Sequence, residues 1–184
     1  MNTASKTRSY GFTLIELLIA VVVLSVLISL AVPGFRIWLQ NAQIRNAAES
    51  ILSGLQRARA EAVLRNANVT FALGGTNDSA CQSTSTCSSW TVVLTGTATV
   101  LDSRNSSEGS ADVVRTTLPA ANMTTVTYNN VGGRVANPAT DFASITLDSK
   151  VLPSADSREL MIVIGVGGNA RMCDPNVGSG PSKC

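Results

Sequence analysis

The 184-residue chain contains no histidine. That absence removes the Ser-His-Asp and Cys-His nucleophile arrangements and every His-ligated metal site. Charge is also scarce: Asp, Glu, Lys and Arg make up 14% of the residues, and aromatics only 4%. No run of five like charges occurs, and fourteen Lys and Arg against twelve Asp and Glu leave a net charge of +2. A dedicated polyanion binder carries a basic stripe or face, which this balance does not supply. What is plentiful is apolar: the hydrophobic share is 45%, with a mean hydropathy of +0.22. A chain of that kind is not disordered, since disorder needs high charge and few apolar residues. The length accommodates one domain and a separate long element.

The apolar excess is concentrated near the start. Residues 1–11 are polar and include Lys6 and Arg8, whereas Phe12 to Val32 is interrupted only by Thr13, Glu16, Ser25 and Ser29. As a helix those 21 residues would reach roughly 30 Å, the thickness of a bilayer core. Positive charge before the run predicts a cytoplasmic N-terminus with the rest of the chain across the membrane. A secretory signal peptide has a shorter apolar core and a small-residue cleavage site, for which Val32-Pro33-Gly34 is a poor substitute. A plain signal anchor would account for the length but not for Glu16. A carboxylate four residues into such a run is costly in lipid without a partner, and so is a functional candidate. The bland alternative is a charge that snorkels to the nearby membrane face.

The string Gly11-Phe12-Thr13-Leu14-Ile15-Glu16 resembles the prepilin motif of type IV pilins and type II secretion pseudopilins. In that family a membrane peptidase cuts after the glycine and methylates the new N-terminus. The resemblance implies a leader over 1–11, cleavage between Gly11 and Phe12, and methylation of Phe12. Glu16 is then the carboxylate that pairs with the Phe12 amine of an adjacent subunit, so that two costly charges neutralise each other. Pro33 sits where the family has a helix-kinking proline. Loss of Lys6 and Arg8 would leave twelve basic against twelve acidic side chains.

Helical periodicity continues beyond the apolar run. Ile37, Ile44, Ala48, Ile51, Leu55, Ala58 and Ala62 recur on one stripe, with Arg36, Arg45, Glu49, Arg57, Arg59, Glu61 and Arg65 mostly elsewhere. One helix from Phe12 to Arg65 would be about 80 Å long. Pro33-Gly34 is expected to bend it, and Gly54 reads as a second soft point. From residue 67 onward the pattern is β. Candidate strands are Val69–Leu73, Trp90–Leu94, Thr97–Leu101, Val113–Leu118, Thr124–Tyr128, Phe142–Leu147, Leu160–Gly165 and Asn169–Cys173. Residues 74–89 and 102–112 read as exposed loops, and Gly132-Gly133 and Gly167-Gly168 as hairpin turns. The expected architecture is therefore α+β. Residues 12–33 form a membrane or filament-core helix. Residues 34–184 form a periplasmic domain, in which the helix over 34–66 packs on antiparallel sheets over 67–184.

This order resembles the pilin fold. Gln56–Val63, the segment Tyr128-Asn129-Asn130-Val131-Gly132-Gly133-Arg134, and Met161–Ile164 followed by Gly168–Met172 resemble GspH-like pseudopilins and FimT/FimU-type minor pilins. The resemblance implies a minor pilin that primes or caps a type IV pilus, in support of adhesion, twitching motility or DNA uptake. Its partners would be a major pilin, other minor pilins, the prepilin peptidase and, before assembly, the inner membrane. A type II secretion pseudopilin near the tip of a pseudopilus is the first alternative. A DNA-binding minor pilin is the second. DNA-binding FimT-type members carry a C-terminal Gly-Arg-x-Arg motif, of which Gly168-Asn169-Ala170-Arg171 keeps only the glycine and the second arginine. Arg171 and Arg134 are the candidate phosphate contacts, too few for strong binding.

Four cysteines, Cys81, Cys87, Cys173 and Cys184, follow the apolar run, on the side where disulfides persist. Three pairings are open. Sequence proximity favours Cys81–Cys87 and Cys173–Cys184, which would contribute roughly 2–3 kcal/mol each by the chain-entropy model. The spacings do not suit zinc, and no cofactor is expected. The carboxylates Asp102, Asp112, Asp141, Asp148, Asp156 and Asp174 read as solvated loop or strand-end residues, so no catalytic constellation is expected.

Overall fold

The computed structural model describes residues 12–74, 81, 87–97, 99–120 and 123–184. Two compact units result, Met1–Arg36 and Ile37–Cys184. Helix α1 (Leu14–Arg65) contributes to both and includes Pro33 in its interior.

The helix begins and ends on local signals. Thr13 is its N-cap: its Oγ1 accepts the Glu16 N–H at 3.3 Å, and its carbonyl accepts the Leu17 N–H at 3.1 Å. Asn66 stops it with φ near +50°. Ala67 N–H bonds back to the Ala62 carbonyl and Asn66 N–H to the Val63 carbonyl, the paired closure of a Schellman motif, with asparagine tolerating the left-handed position.

Among the described residues nine strands follow, in two antiparallel sheets. The first sheet has the order β3-β2-β1-β5-β6, built from β1 (Val69–Leu73), β2 (Trp90–Leu94), β3 (Val100–Arg104), β5 (Thr125–Tyr128) and β6 (Arg134–Val135). The second has the order β4-β7-β8-β9, built from β4 (Val113–Leu118), β7 (Ser144–Ser149), β8 (Leu160–Ile164) and β9 (Ala170–Cys173). Alternation sets the faces. In β1, Val69, Phe71 and Leu73 point into the core, while Thr70 on the other face bonds the Thr95 and Thr127 hydroxyls at 2.8 and 3.0 Å.

One core cluster joins α1 to both sheets. It takes Ile44, Ala48, Ile51, Leu55, Ala58 and Ala62 from the helix, Phe71, Val92 and Val126 from the first sheet, and Ile145, Leu147 and Ile162 from the second. Ile37 is only partly buried, but the other six residues of the expected stripe are fully buried. Phe142, between β6 and β7, places its ring edge-on to Phe71 at 6.4 Å. Phe71 in turn lies 5.7 Å from the Trp90 ring.

Several expectations are corrected. Gly54 is no soft point. It is buried, and a methyl group there would come within 2.8 Å of the Phe71 ring and 3.0 Å of the Trp90 ring. The glycine is what lets the helix approach the sheet so closely. β3 lies three residues beyond the expected strand, because the Leu94–Thr99 turn consumes its start. β7 begins at Ser144, because Phe142 and Ala143 bond across to Thr125 and Leu118 instead. The short β6 was not expected at all. The two expected loops are only partly loops. Asp102–Arg104 completes β3, and Ser88, Ser89, Ser106 and Ser110 are buried, with the Ser88 and Ser110 hydroxyls 2.8 Å apart. Residues 75–80 and 82–86 of the first loop lie outside the described residues. Both hairpin turns form: Gly132 and Gly168 adopt φ of +76° and +81°, as such tight reversals require.

Candidate functional site

The N-terminal segment of α1 is apolar on every face. Phe12 is 84% exposed and Leu14 78%, and the large apolar residues from Ile15 to Leu30 all keep half or more of their surface open. α1 is the one helix among the described residues long and apolar enough to cross a membrane, with a mean hydropathy of 2.9 over its most apolar window. Two of its polar residues are internally satisfied. Ser25 Oγ donates to the Val22 carbonyl at 2.8 Å and Ser29 Oγ to the Val26 carbonyl at 2.7 Å, which hides both hydroxyls from hydrocarbon. The Thr13 hydroxyl is engaged by the Glu16 N–H. Glu16 is thus the only ionisable side chain between Phe12 and Val32, and none of the ion pairs among the described residues involves it. Its place in the first helical turn puts the carboxylate by the positive end of the helix dipole. Thr13 and Glu16 have the Thr-x-x-Glu spacing of a capping box. Gly11 lies outside the described residues.

The four cysteines are joined as Cys81–Cys87 and Cys173–Cys184. The second bridge returns the tail to β9. Asp174 N–H donates to the Ser182 carbonyl at 2.7 Å, and the Arg171 guanidinium donates to the Lys183 and Cys184 carbonyls at 3.3 and 3.4 Å. Asp174 Oδ1 accepts the Asn176 N–H at 2.9 Å, which closes a turn. No group of three or more metal-ligating side chains occurs among the described residues.

The two candidate phosphate contacts are not brought together. Arg171 is on β9 and committed to the tail. Arg134 is on β6 in the other sheet, opposite Tyr128, with its Nε 3.7 Å from Asp141 Oδ2. Asp141, expected to be a solvated carboxylate, is instead buried. It pairs with Arg134 and accepts the Asn137 N–H at 2.9 Å. Asp102 likewise pairs with Arg57 at 3.2 Å. Both carboxylates therefore make contacts within the fold.

Two buried polar groups escaped the sequence reading because their surroundings are non-local. Arg115 on β4 is buried and donates from Nε to the Cys87 carbonyl at 2.6 Å. Burial pushes its guanidinium down to about 10. Tyr128 is fully buried, and its hydroxyl has no hydrogen-bond partner among the described residues. Burial pushes its phenol up to about 12, against the opposing pull of Arg59 and Arg134. Below about pH 10 the phenol is protonated in folded and unfolded chains alike. Between there and about 12 only the unfolded chain gives up the proton, so stability falls through that window. Arg115 acts in the opposite sense over the same range. The chain has two tyrosines, Tyr10 and Tyr128. An ultraviolet titration of the folded Tyr10→Phe chain is therefore expected to show its phenol step at about 12 and not at the ordinary tyrosine value of about 10. A single step near the lower value would contradict the burial of Tyr128.

A long helix with an apolar, singly charged N-terminal portion, packed through its second half on antiparallel sheets, defines the pilin class of proteins. The comparisons agree. The model for the prokaryotic N-terminal methylation motif matches residues 6–32, and the GspH model, described as type II transport protein GspH, matches residues 47–168. The chain belongs to the GspH family. The fold is similar to that of the Pseudomonas aeruginosa (strain PAO1) type IV minor pilin FimU in its P21 crystal form. The TM-score is 0.51 at 16% identity, over 73% of this chain and 91% of that one. The P65 form of the same protein gives 0.48 at 16% identity, over 70% and 90%. No curated protein matches the sequence.

Proposed function

We propose that the chain is a minor pilin that helps to initiate or cap a type IV pilus. A prepilin peptidase cuts between Gly11 and Phe12 and methylates Phe12. Before assembly the segment 12–33 crosses the inner membrane once, with residues 34–184 in the periplasm. On assembly the segment leaves lipid for neighbouring pilin helices, and Pro33 lends it a bend. The Glu16 carboxylate then meets the Phe12 amine of an adjacent subunit. The observation that carries this reading is the exposed apolar segment of the helix, whose single carboxylate is in no ion pair among the described residues. Such a group is costly in an apolar setting unless it is paired, and a neighbouring subunit's amine would supply the counter-charge. The work is done by packing and charge pairing, and no residue is assigned a catalytic role.

The description of the matched family favours a second reading, a minor pseudopilin of a type II secretion system. Both readings share the N-terminal chemistry. DNA binding is not favoured, because Arg134 and Arg171 are engaged by Asp141 and by the tail. Quantitative mass spectrometry of sheared surface filaments discriminates. The chain is expected at a small fraction of the major pilin in pili. Absence from pili, together with loss of protein secretion on deletion, would favour the pseudopilin. Absence from filaments of both kinds would overturn the proposal.

A further inference from the structure

The chain has four phenylalanines, two tryptophans and two tyrosines, and they fall into two groups. Phe71, Trp90, Tyr128 and Phe142 are buried in the core. The other four bracket the apolar run: Tyr10 and Phe12 at its start, Phe35 and Trp38 just past its end. Phe35 is 61% exposed and Trp38 64%. The two tryptophans are thus opposites, since Trp90 is 5% exposed and donates from Nε1 to Ser50 Oγ at 2.8 Å. Aromatics at both ends of an apolar run are the pattern of a bilayer-spanning helix, whose amphipathic rings sit at headgroup level.

Trp38 stands before the globular packing begins. Gln40 Nε2 donates to Asp112 Oδ2 at 3.4 Å. Asn41 Nδ2 donates to the Asp156 carbonyl at 3.0 Å, and Asn41 Oδ1 accepts the Arg158 N–H at 2.8 Å. Those contacts mark where α1 enters the Ile37–Cys184 unit, and Ile44 is the first buried residue of the helix. Trp38 and Leu39, the latter 43% exposed, therefore extend the apolar surface without joining the core cluster. The spacing fits a headgroup layer. Trp38 follows Val32 by six residues, or about 9 Å of helix, and the polar layer on one side of a bilayer is roughly 5–7 Å thick. A helical side chain leans back over the preceding turn, which returns the indole to that layer. A contiguous apolar surface marks an interaction site, and its continuity with the segment 12–33 selects the bilayer as its occupant.

We propose that Trp38 is an interfacial anchor: its ring rests in the headgroup and carbonyl zone of the phospholipid bilayer and sets how deep the apolar segment lies before assembly. The inference rests on the reading of the segment 12–33 as membrane-spanning. It is tested with the full chain reconstituted in phosphatidylcholine vesicles. The acyl chains carry bromine, a contact quencher of indole, either near the glycerol end or near the methyl end. With two tryptophans in the chain, glycerol-end bromine is expected to remove roughly half of the emission, the share of Trp38, and methyl-end bromine much less. Trp38→Phe, a change at an exposed position, should abolish that loss. Three results would overturn the proposal. Quenching by neither lipid puts the ring in water or against protein, stronger quenching by methyl-end bromine puts it in the hydrocarbon, and equal quenching in Trp38→Phe assigns the loss to Trp90. Flotation of the vesicles after an alkaline wash separates the two readings. Unquenched chain that floats with the vesicles defeats the anchor and leaves the membrane-spanning segment standing, whereas chain that washes off defeats both.

Discussion

Glu16→Val is expected to leave α1 inserted in the membrane and to reduce incorporation into filaments by at least about tenfold, the equivalent of losing one modest interaction at each contact. The variant removes a carboxylate from an otherwise apolar stretch, so insertion should become easier. Assembly should suffer, because the Phe12 amine of the neighbouring subunit is then carried out of lipid without its counter-charge. Glu16→Gln keeps the shape and the Thr13 N-cap, whose bond uses the backbone N–H of residue 16, and should fail to a similar degree. Comparison of the membrane pool with sheared filaments measures both. Normal incorporation of either variant would remove the pairing role.

Gly54→Val is expected to destabilise the globular unit strongly. Even the first carbon of the new side chain would fall 2.8 Å from Phe71 Cε2 and 3.0 Å from Trp90 Cδ2. Neither ring can retreat. Phe71 is fully buried, and Trp90 is pinned by its Nε1 donating to Ser50 Oγ at 2.8 Å. Overpacking of this kind costs about 2–3 kcal/mol, which for a unit of this size lowers Tm by roughly 5–10 °C. Gly54→Ala should fall between the two, since alanine gains about 1 kcal/mol in helix propensity while still meeting the rings. Thermal unfolding of the full chain in detergent is the check. A valine variant as stable as the parent would mean that helix and sheet are not in such close contact.

The same glycine shows where sequence reading stops. A glycine within a helical pattern marks either a weak point or a close approach, and only Phe71 and Trp90, brought up from distant strands, decide between them. The serines tell a similar story. Ser88 and Ser110 carry the composition of a loop, yet each buries its hydroxyl on the other. What was legible was local. The stripe from Ile44 to Ala62 repeats at helical spacing, Val69–Leu73 alternates cleanly, and the Gly11–Glu16 string is contiguous. β6 was hidden because two residues carry no periodicity. The sheet order was hidden because β1 pairs with β5, far along the chain. Among the candidate site residues, Arg134 read as a free turn arginine because Asp141, its partner, gave no sign in the sequence of lying opposite it.

The central claim is that this helix is made to be trimmed and handed from lipid to neighbouring subunits. Intact-protein and N-terminal peptide mass spectrometry of chain recovered from filaments tests it most directly. The account predicts a polypeptide that starts at Phe12 and carries one added methyl group on its amine. Filament-associated chain that still retains Tyr10 and Gly11, or that begins at an unmethylated residue elsewhere, would contradict it.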